Sequence, residues 1–329
     1  MRTCRYVIVT PAFNEAQYLK DTIESVISQT TLPVSWVIVD DGSTDNTAEI
    51  IQSYTTVYPW IHYLRREKKA GQTYYASNVY AILYGVTSLR HEPYDMLAVL
   101  DADITLCPDY YEQILRRFEK NPELGIATGV YCEKQNEQWV EVQIDRQSTP
   151  KALQVFRRQC YEACGGYIPM MYGGEDAAIE VTARQKKWQT WSFPDIAVKH
   201  NRPLGTGCGS KQLKAKFNSG LTDYAIGMHP LFVVFKSLRR CFCETPLFIS
   251  GIARLCGHAH GALSHVPRQL PLNTRRYLRQ EQMFRLLRVV RFVQPSWKPV
   301  SESSNHEKEN HSSKHKYRQL NDAGTFGAI

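Results

Sequence analysis

The chain has 329 residues, 43% of them hydrophobic and 22% charged, with a formal net charge of +8. That composition belongs to a globular protein with a real core, organised as one large domain or two small ones. A multi-spanning membrane protein is excluded, because no uncharged apolar run reaches the ~18 residues a transmembrane helix needs.

Residues 6–10 (YVIVT) form a short β-rich run, as expected of a buried parallel strand. Asn14 then stands where a helix N-cap belongs, with Gln17 three residues on. Leu19, Ile23, Val26 and Ile27 follow at helical spacing. Residues 34–39 (VSWVIV) give a second strand, which runs into the turn Asp40-Asp41-Gly42-Ser43. A helix carrying Ile50, Ile51 and Tyr54 comes next. Residues 62–64 fit a third strand, and Val79, Ile82, Leu83 and Val86 mark another helix. Residues 96–100 (MLAVL) are a buried strand ending directly at Asp101. Pro108 suits the first turn of the following helix, whose Ile114, Leu115 and Phe118 point inward. Residues 126–131 and 139–144 read as further strands, and IAVKH as one that ends at His200.

This βαβα order predicts an α/β fold, with a mostly parallel sheet sandwiched by helices. Ligands of such sheets bind beyond the carboxyl ends of the strands. The polar clusters fall there: TPAFNE, DDGSTD and DAD. Three acidic loops converging on one sheet edge repel one another unless a positive species sits among them. A divalent metal with a phosphate ligand meets that need, because Mg²⁺ and Mn²⁺ prefer carboxylate, phosphate and water oxygens.

Together, TPAFNEAQYL, VIVDDGSTDNT, LDADI and GGEDAAIEVTARQKKW resemble the family 2 glycosyltransferases of the GT-A fold, over about residues 5–200. The resemblance implies transfer of a sugar from a nucleotide-diphosphate sugar to a hydroxyl acceptor, with inversion at the anomeric carbon. Thr10, Pro11, Phe13 and Glu15 match the loop bordering the nucleotide. Asp41 matches the acid that reads the base, and Asp101 the acid near the ribose and phosphates. Asp103, last of the D-x-D motif, matches the metal ligand, and His200 stands where some relatives place a further metal or phosphate ligand. Asp176 matches the general base, with Glu175 beside it as the next candidate. A carboxylate there can accept the acceptor hydroxyl's proton as that oxygen attacks C1. Gly173-Gly174 would let backbone approach the acceptor or sugar closely. Residues 71–78 (GQTYYASN) depart from the family's usual G-x-x-x-A-x-N-x-G. Lys68 and Lys69 read as solvated loop lysines.

Two alternatives compete. DADIT also matches the D-x-D-x-T of haloacid-dehalogenase-type phosphotransferases, but that class carries it on the first strand of its domain. A catalytically silent GT-A-like module that only binds membrane is the other, and retention of all four acidic positions argues against it.

Charge is unevenly spread. Residues 202–299 hold 16 Lys+Arg against 3 Asp+Glu, whereas residues 1–201 hold 20 against 25. The chain is therefore read as a catalytic domain over 1–223, a basic amphipathic helical region over 224–299 and a disordered tail over 300–329. Residues 205–220, rich in Gly, Ser and Lys, are expected to form a flexible loop near the site. Residues 275–292 have the composition of an interfacial helix, so an anionic membrane surface is the expected partner of the basic region. Nucleic acid is not, for want of a binding motif. The expected location is cytoplasmic, peripheral on the inner face of the plasma membrane, in assembly of an envelope polysaccharide from a glycan or lipid-linked acceptor. With no export signal, and no C-x-x-C pair, the nine cysteines read as reduced thiols.

Overall fold

The computed structural model describes residues 4–69, 71–135, 138–142, 144–202, 212–244 and 246–290. Its first part alternates β1 (Tyr6–Ala12), α1 (Leu19–Ile27), β2 (Ser35–Asp40), α2 (Thr47–Thr55), β3 (Ile61–Arg65), α3 (Tyr74–Ser88) and β4 (Met96–Val99). Next come β5 (Ile104–Thr105), α4 (Tyr110–Lys120), β6 (Leu124–Gln135) and β7 (Gln138–Glu141). A 3₁₀ turn at Lys151–Leu153 leads to β8 (Val155–Arg157), α5 (Arg158–Cys164), α6 (Glu175–Gln185) and β9 (Gln189–His200). Four helices close the described chain: α7 (Gln212–Ala225), α8 (Pro230–Cys243), α9 (Ile249–Leu263) and α10 (Leu272–Val290).

The sheet runs β3-β2-β1-β4-β8-β6-β9-β5, with β7 paired to β6. It is parallel from β3 to β4, because each of those strands is joined to the next by a helix that carries the chain back. Beyond β4 it is mixed. Among the described residues no α-helix joins β6 to β8, and β8 lies antiparallel to both β4 and β6. The expected strands are all present; β5, β8, α5 and α6 are additions not anticipated from the sequence.

Both faces of the parallel half are buried, which is why its strands are continuous apolar runs. Tyr6, Ile8, Trp36 and Ile38 face α1 and α4 through Leu19, Ile23, Ile114 and Phe118. The alternate residues Val7, Val9, Val37 and Val39 face α3, α5 and α6 through Val79, Ile82, Cys160 and Ile179. Period-two alternation supplies both packing surfaces from one strand, and each fully buried aliphatic side chain contributes roughly 1.5–3 kcal/mol.

Two local expectations are corrected. Asn14 is not an N-cap: α1 begins at Leu19 after Tyr18. Asn14 instead adopts the left-handed conformation (φ 55°), and its side chain accepts a hydrogen bond from the Thr44 amide at 2.9 Å. Pro108 precedes Asp109, the cap of α4, and so lies just outside the helix.

The 223/224 boundary falls within α7. Asp223 on that helix accepts from Arg254 Nε at 2.5 Å and Nη2 at 2.8 Å, and from Lys236 at 3.2 Å. α10 docks on α6, with Arg184 paired to Glu281 and Thr274 donating to Gln185 at 2.8 Å. Its Leu278 and Gln282 are buried. Residues 203–211, which include the first part of the expected loop, and the tail from 291 lie outside the described residues. The rest of that loop, residues 212–220, is not a flexible connection but the first turns of α7, where Leu213, Lys214, Lys216 and Phe217 continue a helical run.

Candidate active site

The loops after β1 and β2 are stapled to each other. The amides of Asn14 and Glu15 donate to Ser43 Oγ at 3.0 Å and Thr47 Oγ1 at 2.8 Å. Asp40 holds the β2 turn by accepting from the Ser43 amide at 2.7 Å. The next residue, Asp41, is left facing the sheet edge. It is buried, paired with Arg66, and accepts from Ser77 Oγ at 2.5 Å. Arg66 also donates to Gln72 Oε1 at 2.6 Å. Gln72 and Ser77 belong to the stretch that departs from the family pattern, and here they build one end of the site.

The middle of the site is organised by Lys151, which no motif pointed to. Its ammonium donates to Asp101 Oδ1 at 2.7 Å and Oδ2 at 3.1 Å, and to Asn78 Oδ1 at 3.0 Å. Burial disfavours this charge, yet Asp101 and Glu175 beside it hold the Lys151 pKa above the ordinary lysine value. Arg202, also unforeseen, pairs with Glu15, and its Nε lies 3.5 Å from Asp103 Oδ2. Burial pushes the Glu15 carboxyl up to about 7 against the pull of Arg202.

Asp103 and His200 do come together. Antiparallel pairing of β5 with β9 sets Ile104 opposite His200, so His200 Nε2 stands 3.6 Å from Asp103 Oδ1. Nδ1 of the ring is 3.3 Å from Glu133 Oε1. Burial works against the imidazolium, but Asp103 and Glu133 raise the His200 pKa to about 9. Asp103 Oδ1 is buried and has no hydrogen-bond partner.

The acid pair at the start of α6 comes next to Lys151. Glu175 is buried, its Oε2 has no partner, and burial raises its pKa to about 7 against the influence of Lys151. Asp176 is half-buried, and the Ala177 amide donates to its Oδ1 at 2.7 Å. Burial raises its pKa too. Gly173 and Gly174 have φ of 84° and 96°, a region that disfavours side chains. They do approach a backbone-proximal surface, but it is the chain's own: a Cβ on Gly174 would stand 2.4 Å from Thr222 Cγ2 of α7.

Thr10 is turned into the core, its hydroxyl accepting from Trp36 Nε1 at 3.0 Å, so only its backbone can face a ligand. Pro11 is buried beside it, and Phe13 lies under Lys68, whose Nζ is 4.0 Å from the ring centre.

Every acidic loop is therefore answered by a base of the chain itself: Arg66, Lys151, Arg202 or His200. Convergence of acids alone did not require a metal. A divalent cation nonetheless fits between Asp103 and His200: Asp103 Oδ1 is buried and accepts no hydrogen bond, and His200 Nε2, 3.6 Å away, could serve as a ligand once a cation displaces its proton. Among the described residues no cluster of three or more His, Cys, Asp or Glu could hold a metal, so the remaining ligands would have to be diphosphate oxygens or water.

The family model for glycosyl transferase family 2 matches residues 7–174, just over half of the chain. The poly-β-1,6-N-acetyl-D-glucosamine synthase of Staphylococcus epidermidis is 31% identical over 117 residues, which is 36% of this chain and 26% of that protein. Among solved structures, a mannosyltransferase from Pyrobaculum calidifontis in complex with GDP-Man and Mn²⁺ superposes with a TM-score of 0.51 at 15% identity. The match covers 87% of this chain and 86% of that one. S. aureus TarS in complex with UDP-GlcNAc gives 0.52 at 12% identity, over 83% and 78%. These structures share the fold of this chain, the GT-A arrangement.

Proposed function

We propose, from the premise that the chain belongs to glycosyl transferase family 2, that it is a glycosyltransferase moving a sugar from a nucleotide-diphosphate sugar to an acceptor hydroxyl. The observation that carries this reading is the pair of buried carboxylate oxygens that accept no hydrogen bond, Asp103 Oδ1 and Glu175 Oε2, at the sheet edge. Buried acid oxygens left without a hydrogen bond are costly, and their survival marks a place for a ligand. The GDP-Man and UDP-GlcNAc held by the two structures of like fold supply the donor class.

In this reading Asp41, fixed by Arg66 and Ser77, receives the base. Asp101, held by Lys151, borders the ribose and phosphates. Lys151 and Arg202 balance the diphosphate charge. Asp103 and His200 would hold a divalent cation, Mg²⁺ or Mn²⁺, which when bound stabilises the departing nucleotide diphosphate. Asp176 accepts the proton of the acceptor hydroxyl as that oxygen bonds to C1 and the C1–phosphate bond breaks on the opposite face, which inverts the configuration. Its raised pKa makes it a better base than a solvated aspartate. The basic region holds the enzyme against an anionic membrane surface, where a glycan or lipid-linked acceptor would be met. Among the described residues no helix is long and apolar enough to cross a membrane.

A screen of nucleotide-sugars for divalent-metal-dependent binding and slow hydrolysis tests the reading. Turnover of a UDP- or GDP-sugar is the expected result. Phosphate release from a monoester, with no nucleotide-sugar bound, would overturn it in favour of the phosphotransferase.

A further inference from the structure

The helices α8 and α9 are packed inside out for a protein surrounded by water. On α8 the buried positions are Val233, Ser237 and Cys241, while Leu231, Val234, Phe235, Leu238 and Phe242 are 41% to 69% exposed. On α9 the buried positions are Ser250, Gly251, Arg254, Gly257 and Gly261, while Ile249 and Ile252 are 51% and 55% exposed. The two outward sets meet at Phe242 and Phe248, whose ring centres are 5.3 Å apart.

The inward glycines allow backbone-to-backbone contact. A Cβ on Gly257 would stand 2.0 Å from the Phe217 carbonyl oxygen, and one on Gly251 2.3 Å from that of Ser237. Small residues between helices and large apolar ones outside is how helices pack in lipid, where the surroundings are apolar. The charges follow the same rule: Arg254 and Lys236 turn inward to Asp223, as ionisable groups do within membranes.

We propose that the α8–α9 hairpin is embedded in one leaflet of an anionic bilayer, with its apolar face in the acyl chains. At 14 and 15 residues, each helix is ~20 Å long, short of the ~30 Å core, so the hairpin lies in the leaflet and does not cross it. Charge selects the bilayer over a second copy of this chain as occupant. Residues 202–299 carry 16 Lys+Arg against 3 Asp+Glu, which attracts anionic lipid and repels a like surface. Exposed Arg239 lies among the apolar residues, where its stem can lie in the acyl region and its guanidinium reach the headgroups. The consequence for the site runs through α7: Thr222 donates to the Tyr172 carbonyl at 2.7 Å, directly before Gly173-Gly174 and the acid pair. An inserted hairpin would set that pair at the membrane surface.

This inference deepens the surface attachment proposed above and rests on it. The test is flotation of the full-length protein with vesicles of equal parts phosphatidylcholine and phosphatidylglycerol, at low salt and at ~1 M NaCl, where screening leaves a Debye length of ~3 Å. Wild type should stay with the vesicles at high salt. The variant F235S/F242S/I252S, altered only at exposed positions, should keep its melting temperature and float at low salt alone. A Phe242→Trp variant should be quenched by phosphatidylcholine with brominated chains. Complete release of wild type by salt would overturn insertion and leave electrostatic attachment, whereas failure to float at low salt would remove both. Dimerisation of wild type without lipid, abolished by the triple substitution, together with no quenching of Phe242→Trp, would assign the face to a second copy.

Discussion

Asp223 and Asp103 are both buried aspartates with arginine neighbours, but the helical region and the sheet edge use them differently. Both carboxylate oxygens of Asp223 are engaged, by Arg254 on two sides and by Lys236. Asp103 has Arg202 Nε at 3.5 Å from one oxygen and no hydrogen bond to the other. Under the proposed function, the difference separates a charge cluster that holds helices together from one that receives a ligand. Removing a partner from the first should damage the fold, because it strands buried charge. Removing a member of the second should damage binding or transfer and leave the fold intact.

The sharpest test of the contrast is Asp176→Asn, which keeps size and hydrogen bonding but cannot accept a proton. Sugar transfer should fall by ~10²–10⁴-fold while donor binding and melting temperature hold. Transfer at near the wild-type rate would move the base to Glu175. Asp223→Ala comes next, since it leaves Arg254 and Lys236 buried without a counter-charge. Denaturant unfolding should show a loss of about 3–5 kcal/mol, with donor affinity of the folded fraction unchanged. Wild-type stability in that variant would break the comparison at its structural end.

Asp103→Ala should do the reverse. Calorimetry with a nucleoside diphosphate and Mn²⁺ should show affinity lower by at least the ~10–100-fold that loss of a metal ligand's support already costs, at unchanged melting temperature. Unchanged affinity would sink Asp103 as ligand.

The smallest expected effect is a difference of sign with pH. The Glu175 carboxyl, raised by burial to about 7, favours the fold while neutral. That contribution is full below the unfolded value of ~4.3 and is lost as pH rises through about 7. Asp223 is pushed up by burial but held below its ordinary value by Lys236 and Arg254, so its contribution is present above ~3.9 and is lost as pH falls through the depressed value. Glu175→Gln should therefore flatten the decline in stability between pH 4.5 and about 7, by at most ~1.4 kcal/mol per pH unit, and leave acid unfolding unchanged. Equal slopes in variant and wild type would remove Glu175 as a titrating group.

Much of the site was legible because its acids are local to strand ends. A buried apolar run that stops at Asp40-Asp41, or at Asp101, puts the carboxylate at the sheet edge whatever happens elsewhere in the chain. The bases were not legible. Lys151 meets Asp101 across 50 positions and Arg202 meets Glu15 across 187, and neither lies in a motif. Their place depends on β8 crossing to the middle of the sheet and on β9 lying between β6 and β5. Converging acids read from the sequence alone therefore overstate the negative charge at the sheet edge, because the distant bases that balance them are invisible there.

The helical region shows the same division more plainly. Apolar and basic residues interleaved along 224–299 predicted by themselves a basic amphipathic helical region, and α8, α9 and α10 lie there. They also drew attention to residues 275–292, yet α10 is docked on α6, and the large exposed apolar surface lies on α8 and α9 instead. Helical spacing gathers side chains on a face and carries no information about where that face is turned. Close approach of α9 to α7 at Gly257 and Gly220, and the inward pairing of Asp223 with Arg254 and Lys236, decided it. Those contacts draw the small and charged residues inside, and the bulky apolar ones have only the outside left.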